Sequence, residues 1–255
     1  MMKVTPKKRL GQHFLKNEET AQRIVNARQS ANRNVLEIGP GMGVLTKYLI
    51  EQPDISLTVV ELDEESVEYL KNHYPGLTPH ILSCDFLSLS LTDLYQDPVT
   101  IIGNFPYNIS SQILFKLLEN KDLTTELVGL FQKEVAERIS SLPGKKSYGI
   151  LSVLIQAFFD VEYLFTIGEE QFIPPPKVKS AVIRVTRNPD KRLACEENLF
   201  KNVVKTAFNQ RRKTLRNSLK SFKFQPGFIT DPIFNLRPEQ LSVEEFERIC
   251  MGIEV

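Results

Sequence analysis

Three glycines and two carboxylates in this chain are spaced as a nucleoside site requires. The run Val35-Leu-Glu-Ile-Gly39-Pro-Gly41-Met-Gly43 passes from strand-like apolar residues into a glycine turn and then a helix-like segment. Gly39, Gly41 and Gly43 allow a tight turn and a close approach of backbone to ligand. The spacing is GxGxG: position 44 is Val44, so the dinucleotide pattern GxGxxG is not met, and no GK[ST] follows to make a P-loop. Glu61 ends the next apolar run, 18 residues beyond Gly43, and Asp85 ends a third. In a doubly wound sheet, ligands bind outside the carboxyl ends of the strands. A carboxylate at Glu61 can there accept hydrogen bonds from both ribose hydroxyls, and one at Asp85 from an adenine amino group.

Glycine turn and carboxylates together resemble the S-adenosylmethionine site of class I methyltransferases, whose cofactor has no pyrophosphate to cradle. A fourth run, Val99-Thr-Ile-Ile, leads into Gly103-Asn104-Phe105-Pro106-Tyr107. This resembles the [ND]-P-P-[YF]-type motif of methyltransferases that alkylate exocyclic amines, with Phe in the second place. The reaction explains the residue types. The N6 lone pair of adenine is delocalised into the ring, so the amine is a poor nucleophile. Two acceptors, the Asn104 side-chain oxygen and the Phe105 carbonyl, can draw the nitrogen toward tetrahedral geometry while Pro106 stiffens the turn. Tyr107 can stack on the base. A base that starts inside a helix must first be turned out, and Phe172, in Gln171-Phe-Ile-Pro-Pro-Pro-Lys177-Val, is the candidate for a second aromatic wall.

The elements that must position these residues are legible as alternating patterns. Strands are expected at Val35–Ile38, Leu57–Glu61, His80–Cys84, Val99–Ile102, Glu126–Phe131, Val161–Ile167 and Ser180–Thr186. Helix-like segments fall at Gly43–Glu51, Glu64–Asn72, Ile109–Glu119, Gln132–Ser140 and Tyr148–Phe158. Repeated βα units imply an α/β fold with a parallel sheet, here of seven strands. After Arg187-Asn-Pro-Asp190 the strand pattern stops and helices and turns follow. The expected division is a catalytic domain over 1–187 and an all-helical C-terminal domain over 188–255.

Composition is that of a globular chain: 42% hydrophobic and 25% charged over 255 residues, which excludes disordered and disulfide-stapled classes. Cys84, Cys195 and Cys250 lack CxxC spacing, so a reducing compartment and no structural metal are expected. No apolar run follows the charges of the first ten residues and none elsewhere is long enough for a bilayer, so a soluble cytoplasmic protein is expected.

The net charge of +1 hides two basic blocks. One holds Lys3, Lys7, Lys8, Arg9 and Lys16; the other holds Lys201, Lys205, Arg211, Arg212, Lys213, Arg216, Lys220 and Lys223, both without an acid. In the second, Val204, Phe208, Leu215 and Leu219 line up as one helical face, and Lys201, Lys205, Arg212, Arg216 and Lys220 as another. A helix docked by its apolar side would offer a row of cations to a polyanion.

Over most of its length the chain resembles the small-subunit ribosomal RNA adenine N6,N6-dimethyltransferases. The ordered set is Arg9-Leu-Gly-Gln-His-Phe-Leu15, Glu37-Ile-Gly-Pro-Gly41, Glu61-Leu-Asp63, Gly103-Asn-Phe-Pro-Tyr-Asn-Ile-Ser110, Gln132-Lys-Glu-Val-Ala-Glu-Arg138, Phe172-Ile-Pro-Pro-Pro-Lys-Val178 and Phe208-Asn-Gln-Arg-Arg-Lys-Thr-Leu-Arg-Asn-Ser-Leu219. The resemblance implies a Rossmann-like class I fold and dimethylation of two adjacent adenines near the 3′ end of 16S-type RNA, in a pre-30S-type particle during ribosome assembly. It implies that His13 and Leu15 contact S-adenosylmethionine alongside Gly39, Gly41, Glu61, Asp85 and Asn104. From the second basic block, RNA would meet Arg211, Arg212, Lys213, Arg216 and Lys220; the sequence does not fix the oligomeric state, and a monomer is the default expectation. Two residues depart from the family pattern: His13 stands where Asn is commoner, and Phe105 where Leu or Ile is, which implies a bulkier pocket. An Erm-type large-subunit methyltransferase and a non-catalytic RNA-binding assembly factor are the rival readings. The Phe-Ile-Pro-Pro-Pro-Lys-Val segment and the basic helix argue against the first, Asn104 and the cofactor carboxylates against the second.

Overall fold

The structure, a computed structural model, describes residues 4–254; Lys3 of the first basic block lies outside them. Its strands are β1 (Phe14–Leu15), β2 (Asn34–Ile38), β3 (Ser56–Glu61), β4 (Ile81–Ser83), β5 (Val99–Asn104), β6 (Thr124–Gln132), β7 (Phe159–Ile167), β8 (Phe172–Ile173) and β9 (Ser180–Arg187). Seven of them, in the order β4-β3-β2-β5-β6-β9-β7, make the main sheet. The strands are dense in Val, Ile and Leu because a sheet covered on both faces needs apolar residues at odd and even positions alike. Val35, Leu36, Val59, Val60, Ile101, Ile102, Leu127 and Val128 are accordingly all buried.

The sheet is not wholly parallel, as the βα pattern implies it should be. β2 runs parallel to β3 and β5, as do β3 to β4 and β5 to β6, but β9 lies antiparallel on β6. β9 follows β7 through only a short 3-10 turn and β8, with no helix to carry the crossover that a placement parallel to β7 needs. β1 and β8 form a separate antiparallel pair, Phe14 opposite Ile173 and Leu15 opposite Phe172.

Packing divides the chain into two units: residues up to Ala136 with Glu162–Arg187, and Glu137–Val161 with the residues from Asn188 on. Glu137–Val161, expected inside the catalytic domain, thus belongs with the C-terminal helices. Its helix Ile150–Gln156 is buried at Leu151, Val153, Leu154 and Ile155, and packs on helices Glu197–Asn209 and Val243–Met251. Those two helices start on side-chain caps, Glu196 accepting from the amides of Asn198 and Leu199, and Ser242 from that of Glu245. Among the described residues, no helix is long and apolar enough to cross a membrane.

The second basic block is not one helix. Helix Glu197–Asn209 ends before Gln210, a turn spans 210–214, and a short helix resumes at Leu215–Ser218. The row Phe200, Val203, Val204 and Ala207 is buried, but the next turn reads Gln-Arg-Arg-Lys-Thr and has no apolar side chain to extend it. The expected row of five cations is therefore broken after Lys205. Arg212, Lys213, Arg216 and Lys220 are exposed. Arg211 is tied down: its Nη2 donates to the Lys146 carbonyl at 2.6 Å, and its Nε lies 3.7 Å from the Glu239 carboxylate.

Candidate active site

The carboxyl ends of β2, β3 and β5 and the loop after β4 surround a cavity of about 250 Å³. It lies where the strand order reverses between β2 and β5, the place at which a doubly wound sheet binds its ligand. Gly39, Gly41, Glu61, Asp85, Asn104, Phe105, Pro106, Tyr107 and His13 all line it. The glycine turn needs its glycines: Gly39, Gly41 and Gly43 have φ of 65°, 57° and 80°, in the left-handed region that a β-carbon disfavours. A β-carbon on Gly41 would also stand 2.8 Å from the Phe14 ring, which covers the turn.

Glu61 is buried, and its two oxygens are each held by one backbone donor, Gly41 N–H at 3.0 Å and Asp63 N–H at 2.9 Å. Each oxygen keeps a lone pair for one more donor, which suits a pair of vicinal hydroxyls. Burial pushes the Glu61 carboxyl above the ordinary carboxylate range, against the pull of those two amides. Asp85 spends Oδ1 on the Leu87 amide at 2.9 Å and leaves Oδ2 for a ligand. The loop behind it is gathered by Lys116, whose ammonium donates to the carbonyls of Phe86 at 2.7 Å, Leu87 at 2.9 Å and Leu89. Sequence reading missed Lys116; its signal is a lysine between Ile113 and Leu117 on the buried face of helix Ser110–Glu119.

The N-terminal segment is fastened across the same cavity. Lys7 and Gln12 both donate to Asp63, which is held below the usual carboxylate range: burial alone would raise it, but the donors outweigh burial. His13 donates from Nδ1 to the Pro174 carbonyl at 2.7 Å, while its own carbonyl accepts from Asn104 Nδ2 at 2.8 Å. A carbonyl only accepts, so this contact fixes which end of the Asn104 amide faces His13. The Oδ1 end accepts no hydrogen bond among the described residues. The Phe105 carbonyl follows the last β5–β6 pair, Asn104 with Leu130, and so lies beyond the ladder. The Tyr107 hydroxyl bonds Ser180 Oγ, and the Tyr107 ring stacks on His13 with centroids 5.3 Å apart.

Two expected site residues are not at the cavity. Phe172 does not line the cavity: the residue is 1% exposed and packs in the core with Leu15 and Ile167. Strand alternation turns Phe172 inward and its neighbour Ile173 outward; the aromatic partner of Tyr107 is His13 instead. The Leu15 side chain is buried in the same core and does not line the cavity, whereas Phe14 does. The bulk of Phe105 likewise goes into the sheet, where its ring is 1% exposed and tilts against Phe131 at 5.0 Å.

Glu37, four residues before Gly41, is fully enclosed and accepts from Thr46 Oγ1 at 2.7 Å. Burial pushes its carboxyl up to about 8 from 4.5. A raised folded value means that the stabilisation is complete below the unfolded value and is lost as pH rises through the folded one. Glu37→Gln is therefore expected to gain on the wild type by about 1.4 kcal/mol for each pH unit between these limits. Urea unfolding at pH 5, 6 and 7 checks this; parallel stability curves for the two proteins would refute it.

A family profile described as ribosomal RNA adenine dimethylase matches residues 4–248. "Ribosomal RNA small subunit methyltransferase A" of Bacteroides thetaiotaomicron is 57% identical over 100% of this chain and 96% of its own length. The protein of the same name from Flavobacterium johnsoniae is 57% identical over 100% and 98%. Among solved structures, a dimethyladenosine transferase from Plasmodium falciparum aligns with TM-score 0.76 at 22% identity, over 92% of this chain and 94% of that one. The 23S rRNA methyltransferase ErmE aligns with TM-score 0.70 at 24% identity, over 92% and 98%. The two structures establish the shared Rossmann-like methyltransferase fold; the profile and the relatives, matched over nearly the whole chain, place it in the ribosomal RNA adenine dimethylase family, whose methyl donor is S-adenosylmethionine.

Proposed function

We propose that the chain transfers methyl groups from S-adenosylmethionine to N6 of two adjacent adenines near the 3′ end of small-subunit ribosomal RNA. The observation that carries this reading is the Asn104–Phe105 turn. A side-chain oxygen with no protein donor among the described residues and a backbone carbonyl beyond the strand ladder stand next to each other, on one cavity with Glu61 and Asp85. For the first transfer, two acceptors on the two N–H bonds of the adenine amine localise its lone pair; the monomethylated amine offers its one remaining N–H to a single acceptor for the second. Bound S-adenosylmethionine supplies a methyl carbon already activated on a sulfonium. The chain's own work is then binding and alignment: Glu61 accepts the ribose hydroxyls, Asp85 Oδ2 the cofactor's adenine amine, and Asn104 with Phe105 the target amine. Tyr107, anchored by Ser180 and backed by His13, offers its ring to the target base.

The substrate is small-subunit RNA in a pre-30S-type particle, met in the cytoplasm by a monomer; the names of the relatives and the exposed cations of the second unit support the RNA substrate. Arg212→Ala with Arg216→Ala is expected to weaken RNA binding and to flatten log Kd against log salt by roughly one unit for each phosphate no longer neutralised. An unchanged slope would place the RNA elsewhere. Labelled methyl transfer to unmethylated small and large subunits, with nucleoside analysis, tests the whole reading. N6,N6-dimethyladenosine in small-subunit RNA alone is the expected product; label in large-subunit RNA, or none at all, refutes it.

A further inference from the structure

We infer that Gly129, on the strand beside the reactive turn, is a positioning residue that sets the Phe105 carbonyl by leaving a slot for the Phe105 ring. The inference rests on the proposed adenine chemistry. Gly103 and Gly129 face each other across the β5–β6 pair, so two neighbouring strands lack a side chain at one level of the sheet. The Phe105 ring fills that gap. A β-carbon on Gly129 would lie 2.2 Å from Phe105 Cε2 and 2.8 Å from Cζ, and one on Gly103 would lie 2.8 Å from Cε1. Phe131, two residues along the same face of β6, closes the slot with its ring 5.0 Å away at 59°. The ring is thereby clamped on several sides at a residue whose own carbonyl is one of the two acceptors for the target amine. The other acceptor, Asn104, is its chain neighbour.

Neither glycine of the pair needs left-handed backbone, since neither has a positive φ. Their reason is space. In a close-packed interior the ring cannot be accommodated elsewhere, so a methyl group on Gly129 must push the ring, and the ring must move the backbone of residue 105. Displacements on the order of 1 Å at a reacting centre cost about 100-fold in rate.

The test is a cycle of four proteins: wild type, Gly129→Ala, Phe105→Leu and the double variant. Each is assayed for methyl transfer to unmethylated small subunits, for S-adenosylmethionine affinity by calorimetry, and for Tm. Gly129→Ala is expected to lower kcat about 100-fold when made in the wild type and less than tenfold when made in the Phe105→Leu protein, where the shorter side chain clears the new methyl. Recovery should be partial, because the added β-carbon would also stand 2.7 Å from the Gly103 carbonyl oxygen. Phe105→Leu itself is expected to lower turnover severalfold by loosening the turn. Tm should follow the same coupling: a fall of roughly 5 °C or more on Gly129→Ala with Phe105 present, and a smaller one in the Phe105→Leu protein. Cofactor affinity should stay within threefold throughout.

Equal losses in both backgrounds would overturn the inference, as would a Gly129→Ala protein with wild-type turnover. A coupling seen in Tm but absent from kcat would reduce Gly129 to a packing residue and overturn it too. Should Gly129→Ala fail to fold alone, the same cycle is run with Phe131→Leu, which unclamps the same ring from its other side: a loss of kcat that is present with Phe105 and absent in the Phe105→Leu protein supports the inference, and equal losses in both backgrounds refute it. A wild type that transfers no methyl group to RNA is a different result, and refutes the proposed function itself.

Discussion

Asn104→Ala is expected to lower kcat for methyl transfer by about three orders of magnitude while changing the dissociation constant for S-adenosylmethionine only a few-fold. The asymmetry follows from what each atom of the amide touches. Nδ2 is spent on the His13 carbonyl at 2.8 Å, so its loss loosens the N-terminal segment over the cavity and weakens cofactor binding modestly. Oδ1 has no donor among the described residues, and in the proposed reaction the target amine needs it only as the methyl moves. Asn104→Asp sharpens the test, since it keeps an acceptor but sets a carboxylate against the His13 carbonyl. It should lose both affinity and turnover. Single-turnover kinetics with excess enzyme, beside calorimetric titration of the cofactor, separate the two effects. An Asn104→Ala protein with more than a tenth of wild-type kcat would remove Asn104 from the chemistry.

The second large effect is on binding. Glu61→Ala is expected to raise the dissociation constant for S-adenosylmethionine by about 100-fold or more, because hydrogen bonds to a charged acceptor are worth roughly 1.5–3 kcal/mol each and two would be lost. Glu61→Gln should be no milder. Both carboxylate oxygens already accept from backbone amides, and a glutamine would turn an N–H₂ group toward either Gly41 or Asp63. The affinity should also depend on pH. Burial holds the Glu61 carboxyl above its ordinary range, so cofactor binding is expected to weaken on acidification sooner than an exposed glutamate would allow. The Glu61→Ala protein should lose that dependence. Calorimetry between pH 5 and 8 checks both points, and an unchanged affinity in Glu61→Ala would withdraw the ribose assignment.

These residues are legible in the sequence because their signals are local. A strand that ends in a glycine turn, another that ends in Glu61, and Asn104-Phe-Pro-Tyr at the end of a fourth are each read from a few neighbouring positions. The sheet then brings strand ends together by its own topology. All seven expected strands of the main sheet are present within two residues at either end, since short apolar runs rich in β-branched residues suit strands buried on both faces. Where the Phe172 side chain goes is not legible for the complementary reason. A strand of two residues has one side chain inward and one outward, and which is which depends on the partner strand β1. The basic block misleads in a similar way: apolar residues on either side of Gln210–Thr214 suggest one continuous helix, but the five polar residues between them give that turn no side chain to pack on the core.

By itself the sequence determined the α/β class, the glycine turn, the carboxylates Glu61 and Asp85 at strand ends and the Asn-Phe-Pro-Tyr turn, because each depends on residue type and on period within one segment. Tertiary structure alone decided the rest. The His13 carbonyl orients Asn104 from 91 positions away, Lys116 gathers the Asp85 loop, and Glu137–Val161 leaves the catalytic unit for the helical one. The Phe105 ring finds its room in a gap made by a glycine on a different strand. Such pairings cross long stretches of chain, and no local pattern encodes them: they are set by register, by close packing, and by the requirement that each buried polar atom find a partner.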